Sequence, residues 1–288
     1  MVVDSNAVRV TRLALFACSV ACSGRVLETA EPGDSQAAGG YRPPQWPSPA
    51  GGVNNATQGG SVQFGTSGGL GPGVGGASAC PPGQWVLSNQ VINARDLGGV
   101  RLSTGLSSAC GKVFRGGPLA NLTQMGCEAF HGLGIRTVID LRTDSERIAI
   151  PDASCVFAQS SVIWAPLPIP YSLSPAQYIA DLDTYSSVRL AFETLGDAAA
   201  YPVYFHCTYG RDRTGVLAAV ILLALGASHE DVLSEYQLTA LSGLYVPPDS
   251  LSAVLDDIEL RGGIQAYLDA AGVPRAMLAV LRSEAVGQ

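Results

Sequence analysis

The twelve residues from Thr214 to Leu225 (TGVLAAVILLAL) carry no charge and are apolar on every side. A helix built from them has no face to show to water, so it must lie inside a protein. It is too short to cross a bilayer, which takes about 20 residues. Gly226 follows as a helix stop. Just upstream, Tyr201-Pro202-Val203-Tyr204-Phe205 reads as a compact apolar strand, joined to the helix by a short polar loop. A buried strand feeding a buried helix is the unit of a layered α/β fold. The rest of the pattern agrees. Residues 136–141 predict a buried strand and 161–165 a short one. Residues 121–133, 175–195, 229–241, 249–260, 262–270 and 274–282 predict helices. The expected architecture is α/β, a central mostly parallel sheet flanked by helices.

Of the 288 residues, 47% are hydrophobic and 14% charged, which excludes wholesale disorder. The net charge is −7 and Lys112 is the only lysine. An acidic chain is a poor general binder of nucleic acid, because such binding relies on neutralising phosphates. Any anionic ligand has to be held by a local positive site. Residues 1–22 read as an export signal: Arg9 and Arg12 precede the short apolar run Leu13 to Ala21. Val20-Ala21-Cys22-Ser23 resembles a bacterial lipobox, with Leu15-Phe16-Ala17-Cys18 as a second, shorter match. Plain secretion and an apolar start without meaning are the alternatives. Residues 23–79, rich in Gly and Pro, read as a disordered tether. Residues 80–288 carry the periodic patterns and form the expected catalytic domain. The expected location is outside the cytoplasm: an envelope lipoprotein, or a periplasmic or secreted protein whose only membrane attachment is the lipid anchor.

The loop between strand and helix carries the chemistry. It reads His206-Cys207-Thr208-Tyr209-Gly210-Arg211-Asp212-Arg213-Thr214-Gly215. A cysteine here sits at a helix N-terminus, where unpaired N–H groups and the helix dipole favour anions and lower a thiol pKa. Five residues separate Cys207 from Arg213. A loop of that length can curl its N–H groups into a nest for a tetrahedral oxyanion. Arg213 then offers a planar fork to two phosphate oxygens. Gly210 admits the positive φ that the curl needs. The pattern suits phosphoryl transfer to sulfur followed by hydrolysis of the thiophosphate.

The loop matches HCxxGxxRTG, the signature of cysteine-dependent protein tyrosine phosphatases. It most resembles the bacterial tyrosine/lipid phosphatases whose loop reads HCxxGKDRTG. Four further stretches resemble that family in order. Residues 93–99 are similar to NFRDLGG, 113–119 to its YRSGxL strand, 134–142 to GIxTVIDLR and 235–239 to DYLLT. The resemblance implies the cysteine-dependent phosphatase fold. It makes Cys207 the nucleophile and Arg213 the phosphate clamp, with Thr214 hydrogen-bonding the sulfur. Thr208, Tyr209, Gly210 and Arg211 would line the substrate site. His206 is expected to tune the loop. Asp212, inside the loop, is the expected proton donor. Asp181, Asp183 and Asp140 are the alternatives, although Asp181 and Asp183 are otherwise expected on a solvated helix face. Trp164-Ala165-Pro166 lacks the Asp of a WPD loop. Arg211 replaces the family's lysine, which is associated with phosphoinositide phosphates. Arg95 and Asp96 would border the site or make a structural turn. Asp140 and Arg142 would support the loop or pair at the surface.

The expected function is hydrolysis of phosphomonoesters, phosphotyrosine proteins first, through a cysteinyl-phosphate intermediate. Phosphoinositides or inositol phosphates are the alternative substrates, and a non-catalytic phosphate-binding lipoprotein is the reading from another class. No metal or other cofactor is expected, since His131 and His229 stand alone and no Cys/His cluster has zinc spacing. Once Cys18, Cys22 and Cys207 are set aside, four cysteines remain. An oxidising compartment favours disulfides. Cys80–Cys110 and Cys127–Cys155 is the local pairing, with other pairings or four reduced thiols in a cytosolic enzyme as alternatives.

Overall fold

The computed structural model describes residues 80–287, apart from 88, 169–173 and 248. The expected leader and tether lie outside the described residues. The chain divides into two units after Gly69, and the described residues belong to the second.

Five strands form one sheet: β1 (Arg95–Asp96), β2 (Val113–Gly116), β3 (Thr137–Asp140), β4 (Ser161–Trp164) and β5 (Val203–His206). Their order is β1-β2-β5-β3-β4. Four run parallel, and only β1 pairs antiparallel, with β2. The mostly parallel sheet expected from the alternation of elements is therefore present. β5 is central, flanked by β2 and β3, so whatever follows His206 emerges at the middle of the sheet's carboxyl edge. That edge is where open α/β sheets place their ligands.

Among the described residues ten helices flank the sheet: α1 (Gln124–Gly132), α2 (Asp144–Ala149), α3 (Ser154–Gln159), α4 (Pro175–Leu182), α5 (Tyr185–Leu195), α6 (Asp212–Leu225), α7 (His229–Gln237), α8 (Ser250–Leu260), α9 (Gly263–Ala270) and α10 (Arg275–Ala285). The pleat sends alternate side chains to opposite faces. Val203 and Phe205 enter the larger core with Val113, Ile139 and the helix α6. Tyr204 enters the smaller one with Phe114, Val138 and Phe130 of α1. Helix α6 is buried from Arg213 to Leu225. Gly226 ends it in the left-handed conformation at φ +97°, the glycine stop expected from the sequence.

One expected helix is two. Residues 175–195 break at Asp183–Thr184 into α4 and α5. The buried stripe runs through both, as Tyr178, Leu182, Val188, Phe192 and Leu195, so periodicity alone reads a single helix. Asp183 caps α4 and its carboxylate reaches Arg261 at 2.8 Å. The expected helix 229–241 likewise stops at Gln237 and tightens into a 3-10 turn over Leu238–Ser242. The short elements β1, α2 and α3 carried no pattern long enough to read.

Cys80 is bonded to Cys110, and Cys127 to Cys155. Cys207 is the one free cysteine among the described residues. The chain's last described residues seat on the stretch just before β2. Ala109 N donates to Ala285 O at 2.8 Å, Ser108 bridges Val286, and Gly287 N donates to Ser107 O at 2.8 Å. No helix among the described residues is long and apolar enough to cross a membrane.

Candidate active site

Strand β5 delivers Cys207 to the carboxyl edge of the sheet, and α6 begins five residues later at Asp212. The thiol is buried, at 1% exposure. The first N–H groups of α6 have no intrahelical acceptor, so they are free to meet an anion. The loop rests on a floor without side chains. Gly210 lies at φ +64°, and a Cβ there would stand 2.3 Å from the backbone carbon of Gly116. Gly116 in turn leaves room for the Tyr204 hydroxyl, 2.2 Å from where its own Cβ would be. A Cβ at Gly116 would strike the Tyr204 hydroxyl and Ala94, and one at Gly117 would strike Ile92, so neither glycine admits a side chain beneath the loop.

The Gly210 carbonyl is pulled back into the protein by two donors. Asn93 Nδ2 reaches it at 2.6 Å and an Arg115 Nη at 2.9 Å. Arg115 also donates to Glu235 Oε2 at 2.7 Å, while Arg95 Nε donates to Glu235 Oε1 at 2.6 Å. All three of these ionic side chains are buried. Burial pushes the Glu235 carboxyl up, but Arg115 and Arg95 outweigh it and hold the group below its ordinary range. Arg95 therefore acts as a brace behind the loop. Asp96 is structural, accepting from Gly98 N at 2.8 Å and Gly111 N at 2.6 Å.

Arg213 is held by a residue that the sequence reading passed over. Its Nη1 and Nη2 each donate at 2.6 Å to the two oxygens of Glu146 in α2. Burial would raise the Glu146 carboxyl, yet the hydrogen bonds and charge of Arg213 bring it down to about 2. A paired fork of this kind fixes the guanidinium plane. Thr208 completes the arrangement. Its hydroxyl donates to Glu146 Oε1 at 2.5 Å and accepts from Arg213 Nη2 at 3.1 Å. Thr208 thus serves the clamp through its side chain rather than lining the mouth. The readable signal for Glu146 was the Thr143-x-x-Glu146 spacing of a capping box.

Beneath the thiol, His206 is buried with Nε2 3.3 Å from Asp152 Oδ2. Arg142 donates to Asp140 and Asp152 at 2.8 and 2.7 Å. Burial raises the Asp152 carboxyl, but His206 and Arg142 hold it below its usual value. Asp140, Asp152 and His206 are spaced as metal ligands could be, but the cation among them is the Arg142 guanidinium. Of the two readings of Asp140 and Arg142, the buried support of the loop is the observed one. Thr214 is fully buried and its hydroxyl has no hydrogen-bond partner. Gly215 allows the Tyr236 ring within 2.7 Å of the position its Cβ would take.

At the mouth, Tyr209, Arg211 and Asp212 are half-buried. Arg211 lies over the Tyr209 ring and has every nitrogen engaged. Its Nε and Nη2 meet Asp212 at 2.8 and 3.2 Å, and its Nη1 meets Tyr245 O at 2.8 Å. Asp212 also accepts from the Tyr178 hydroxyl of α4. Asp183 is exposed and paired with Arg261, as a solvated helix face requires. Asp181 corrects that expectation: it is 1% exposed and faces the loop.

A free cysteine at a strand end, an arginine fork one loop away and a glycine floor fit cysteine-dependent phosphatases. The model of the tyrosine phosphatase family matches residues 87–287. The chain belongs to the tyrosine phosphatase family. It is 30% identical over 226 residues to a protein of Cupriavidus necator provisionally called a tyrosine-protein phosphatase, covering 67% of this chain and 80% of that one. It is also 27% identical over 136 residues to a tyrosine-protein phosphatase of Nostoc commune, covering 42% and 46% of the two chains. Among solved structures, PTPMT1 in complex with PI(5)P is 19% identical, with a TM-score of 0.37 over 53% of this chain and 96% of that one. Pseudomonas aeruginosa TpbA in complex with phosphotyrosine is 19% identical, with a TM-score of 0.34 over 58% and 90%. Neither structural likeness bears on what this phosphatase acts on.

Proposed function

We propose that this tyrosine phosphatase cleaves phosphomonoesters by attack of Cys207 on phosphorus, with Arg213 and the α6 amides holding the phosphoryl oxygens. The observation that carries the reading is the Arg213 fork, locked by Glu146 and Thr208 beside a thiol at the helix N-terminus. Such donors are oriented before the charge of the transition state develops, which is where electrostatic catalysis is most effective. The Thr214 hydroxyl, buried and without a partner, would hydrogen-bond the sulfur as it leaves. Tyr209, Gly210 and Arg211 border the substrate. Phosphotyrosine in a protein is the preferred substrate class. Arg211 is spent on Asp212 and Tyr245, so the mouth offers no idle guanidinium to a second phosphate of an inositide.

Phosphate release by the purified protein from a phosphotyrosine peptide, a phosphoserine peptide and a short-chain phosphoinositide tests this. The phosphotyrosine peptide should give the highest kcat/KM, with turnover blocked by vanadate. Preference for the inositide would move the substrate class to lipid phosphates. Vanadate-saturable phosphate binding with no turnover would favour a binding lipoprotein.

The leader supports export, with Cys22 as the lipidated residue and residues 23–79 as a tether. The two disulfide pairings suit an oxidising compartment. Fatty-acid labelling of cells expressing the full chain should mark the protein and be lost in Cys22→Ala. Unlabelled, fully soluble protein would leave plain secretion or no export.

A further inference from the structure

Asp181 lies in the last full turn of α4, almost wholly buried. Its Oδ2 has no hydrogen-bond partner. Buried polar atoms are nearly always satisfied, so an idle carboxyl oxygen in a core asks for a reason. Helix α4 packs on α6 and α8, and α9 reaches it through Tyr267. The ionisable groups acting on it are Arg213 and Asp212 of α6, and Tyr267 of α9 feels its charge. Tyr267 itself donates to Leu182 O at 3.0 Å. Asp181 sits one turn after Tyr178, whose hydroxyl reaches Asp212, so it lies on the side of α4 that borders the loop, with one carboxyl oxygen left without a hydrogen-bond partner.

Its neighbour Asp212 has the opposite surroundings. Arg211 and the Tyr178 hydroxyl engage the Asp212 carboxylate. Both oxygens of the Asp212 carboxylate are taken up by these two partners.

We propose that Asp181 is the catalytic acid that protonates the leaving oxygen, while Asp212 fixes Arg211 and the loop mouth. This deepens the reading of the site as a cysteine-dependent phosphatase and rests on it. Of the two neighbouring carboxyls, Asp181 is the one with an oxygen that no other group engages. Burial is the main influence on Asp181. With the Asp212 charge adding to it and Arg213 opposing it, the carboxyl is pushed up to about 8. It is protonated at neutral pH. In the first step the Cys207 thiolate forms the S–P bond as the P–O bond breaks. The electron pair leaves on oxygen, which takes the Asp181 proton, and the alcohol departs neutral. Asp181 is then a carboxylate facing Arg213. In the second step it accepts a proton from water as the water oxygen bonds phosphorus. The S–P bond breaks, the thiolate returns and inorganic phosphate leaves. The sum is phosphomonoester plus water to alcohol plus phosphate, with Asp181 reprotonated.

The test compares the full chain with Asp181→Asn and Asp212→Asn on p-nitrophenyl phosphate and phenyl phosphate. The first leaving group departs readily as an anion and the second needs the proton. Asp181→Asn should lower kcat about 10²- to 10³-fold on phenyl phosphate and less than about tenfold on p-nitrophenyl phosphate. The wild-type kcat on phenyl phosphate should fall as pH rises through about 8, and Asp181→Asn should lack that fall. Asp212→Asn should lower both substrates by a similar factor. Equal losses on both substrates in Asp181→Asn, or the steep leaving-group dependence in Asp212→Asn, would overturn the assignment. The wild-type pH profile decides the matter even if Asp181→Asn does not fold: a kcat on phenyl phosphate flat between pH 7 and 9 sinks the proposal. Wild-type protein that turns over neither ester defeats the phosphatase reading itself, which separates the two failures.

Discussion

Cys207→Ser should abolish turnover, with kcat falling by about 10⁴-fold or more, while the protein stays folded and still binds phosphate. The substitution exchanges one buried atom for a smaller one in the wall of the larger core, and it leaves Arg213, Glu146 and Thr208 untouched. In the proposed mechanism, what it removes is the nucleophile. A serine hydroxyl stays protonated at neutral pH unless a base takes its proton. The one histidine in the loop cannot supply that base, since His206 is buried against Asp152. The measurement is a rapid acid quench after mixing with ³²P-labelled phosphotyrosine peptide. Wild-type protein should carry label on cysteine, and Cys207→Ser should carry none while still slowing the wild-type enzyme by sequestering substrate. Turnover by Cys207→Ser within tenfold of wild type would mean that another group attacks phosphorus.

The second large effect concerns stability. Glu235→Gln should cost about 3–5 kcal/mol, the range for removing one partner of a buried ionic cluster. Two guanidiniums, Arg95 and Arg115, lie fully buried on this one carboxylate. Arg115 Nε already lacks a partner. An amide in place of the carboxylate leaves two buried cations without an anion and turns a donor toward one of them. At about 2–4 °C per kcal/mol for a domain of this size, the melting temperature should fall by about 10 °C. Glu230→Gln is the control, an exposed site on the same helix, where the change should stay within about 0.5 kcal/mol. Arg115 also holds the Gly210 carbonyl, so the damage should reach the phosphate site as weaker inhibition by inorganic phosphate. A melting temperature equal to the control would show that water or rearrangement satisfies the two arginines.

The loop from His206 to Gly215 was legible because each position answers one local demand. Cys207 needs the end of a strand, Gly210 a positive φ, and Arg213 the first turn of a helix. The apolar helix behind it was legible because its composition leaves it one place to go. The residues that hold the loop were not. Glu146 and Asn93 meet it only through the tertiary fold, at sequence separations of 67 and 117, and Glu235 acts on it through Arg115; nothing in their neighbourhoods announces a partner. Glu146 at least carried a capping-box spacing that could have placed it at a helix start beside the sheet's carboxyl edge. Asp181 shows the reverse failure. Its short-range setting on an amphipathic segment reads as solvent-facing, and only the packing of α4 on α6 and α8 buries it. The break at Asp183–Thr184 escaped for a related reason, because it needs neither Gly nor Pro and leaves the apolar stripe in phase.

Cys80 and the last described residues converge on the stretch from Ser107 to Cys110. That stretch leads into the start of β2, and β2 runs parallel to β5 with Val113 opposite Val203 and Gly116 opposite His206. The two exits of the domain therefore leave from the pole opposite Cys207. Any cargo joined at either exit, whether a purification tag or a bead surface, attaches behind the enzyme. Immobilisation by either end then acts like a handle that keeps the working face turned outward, toward bulky phosphoproteins that a mouth beside the attachment point would shut out.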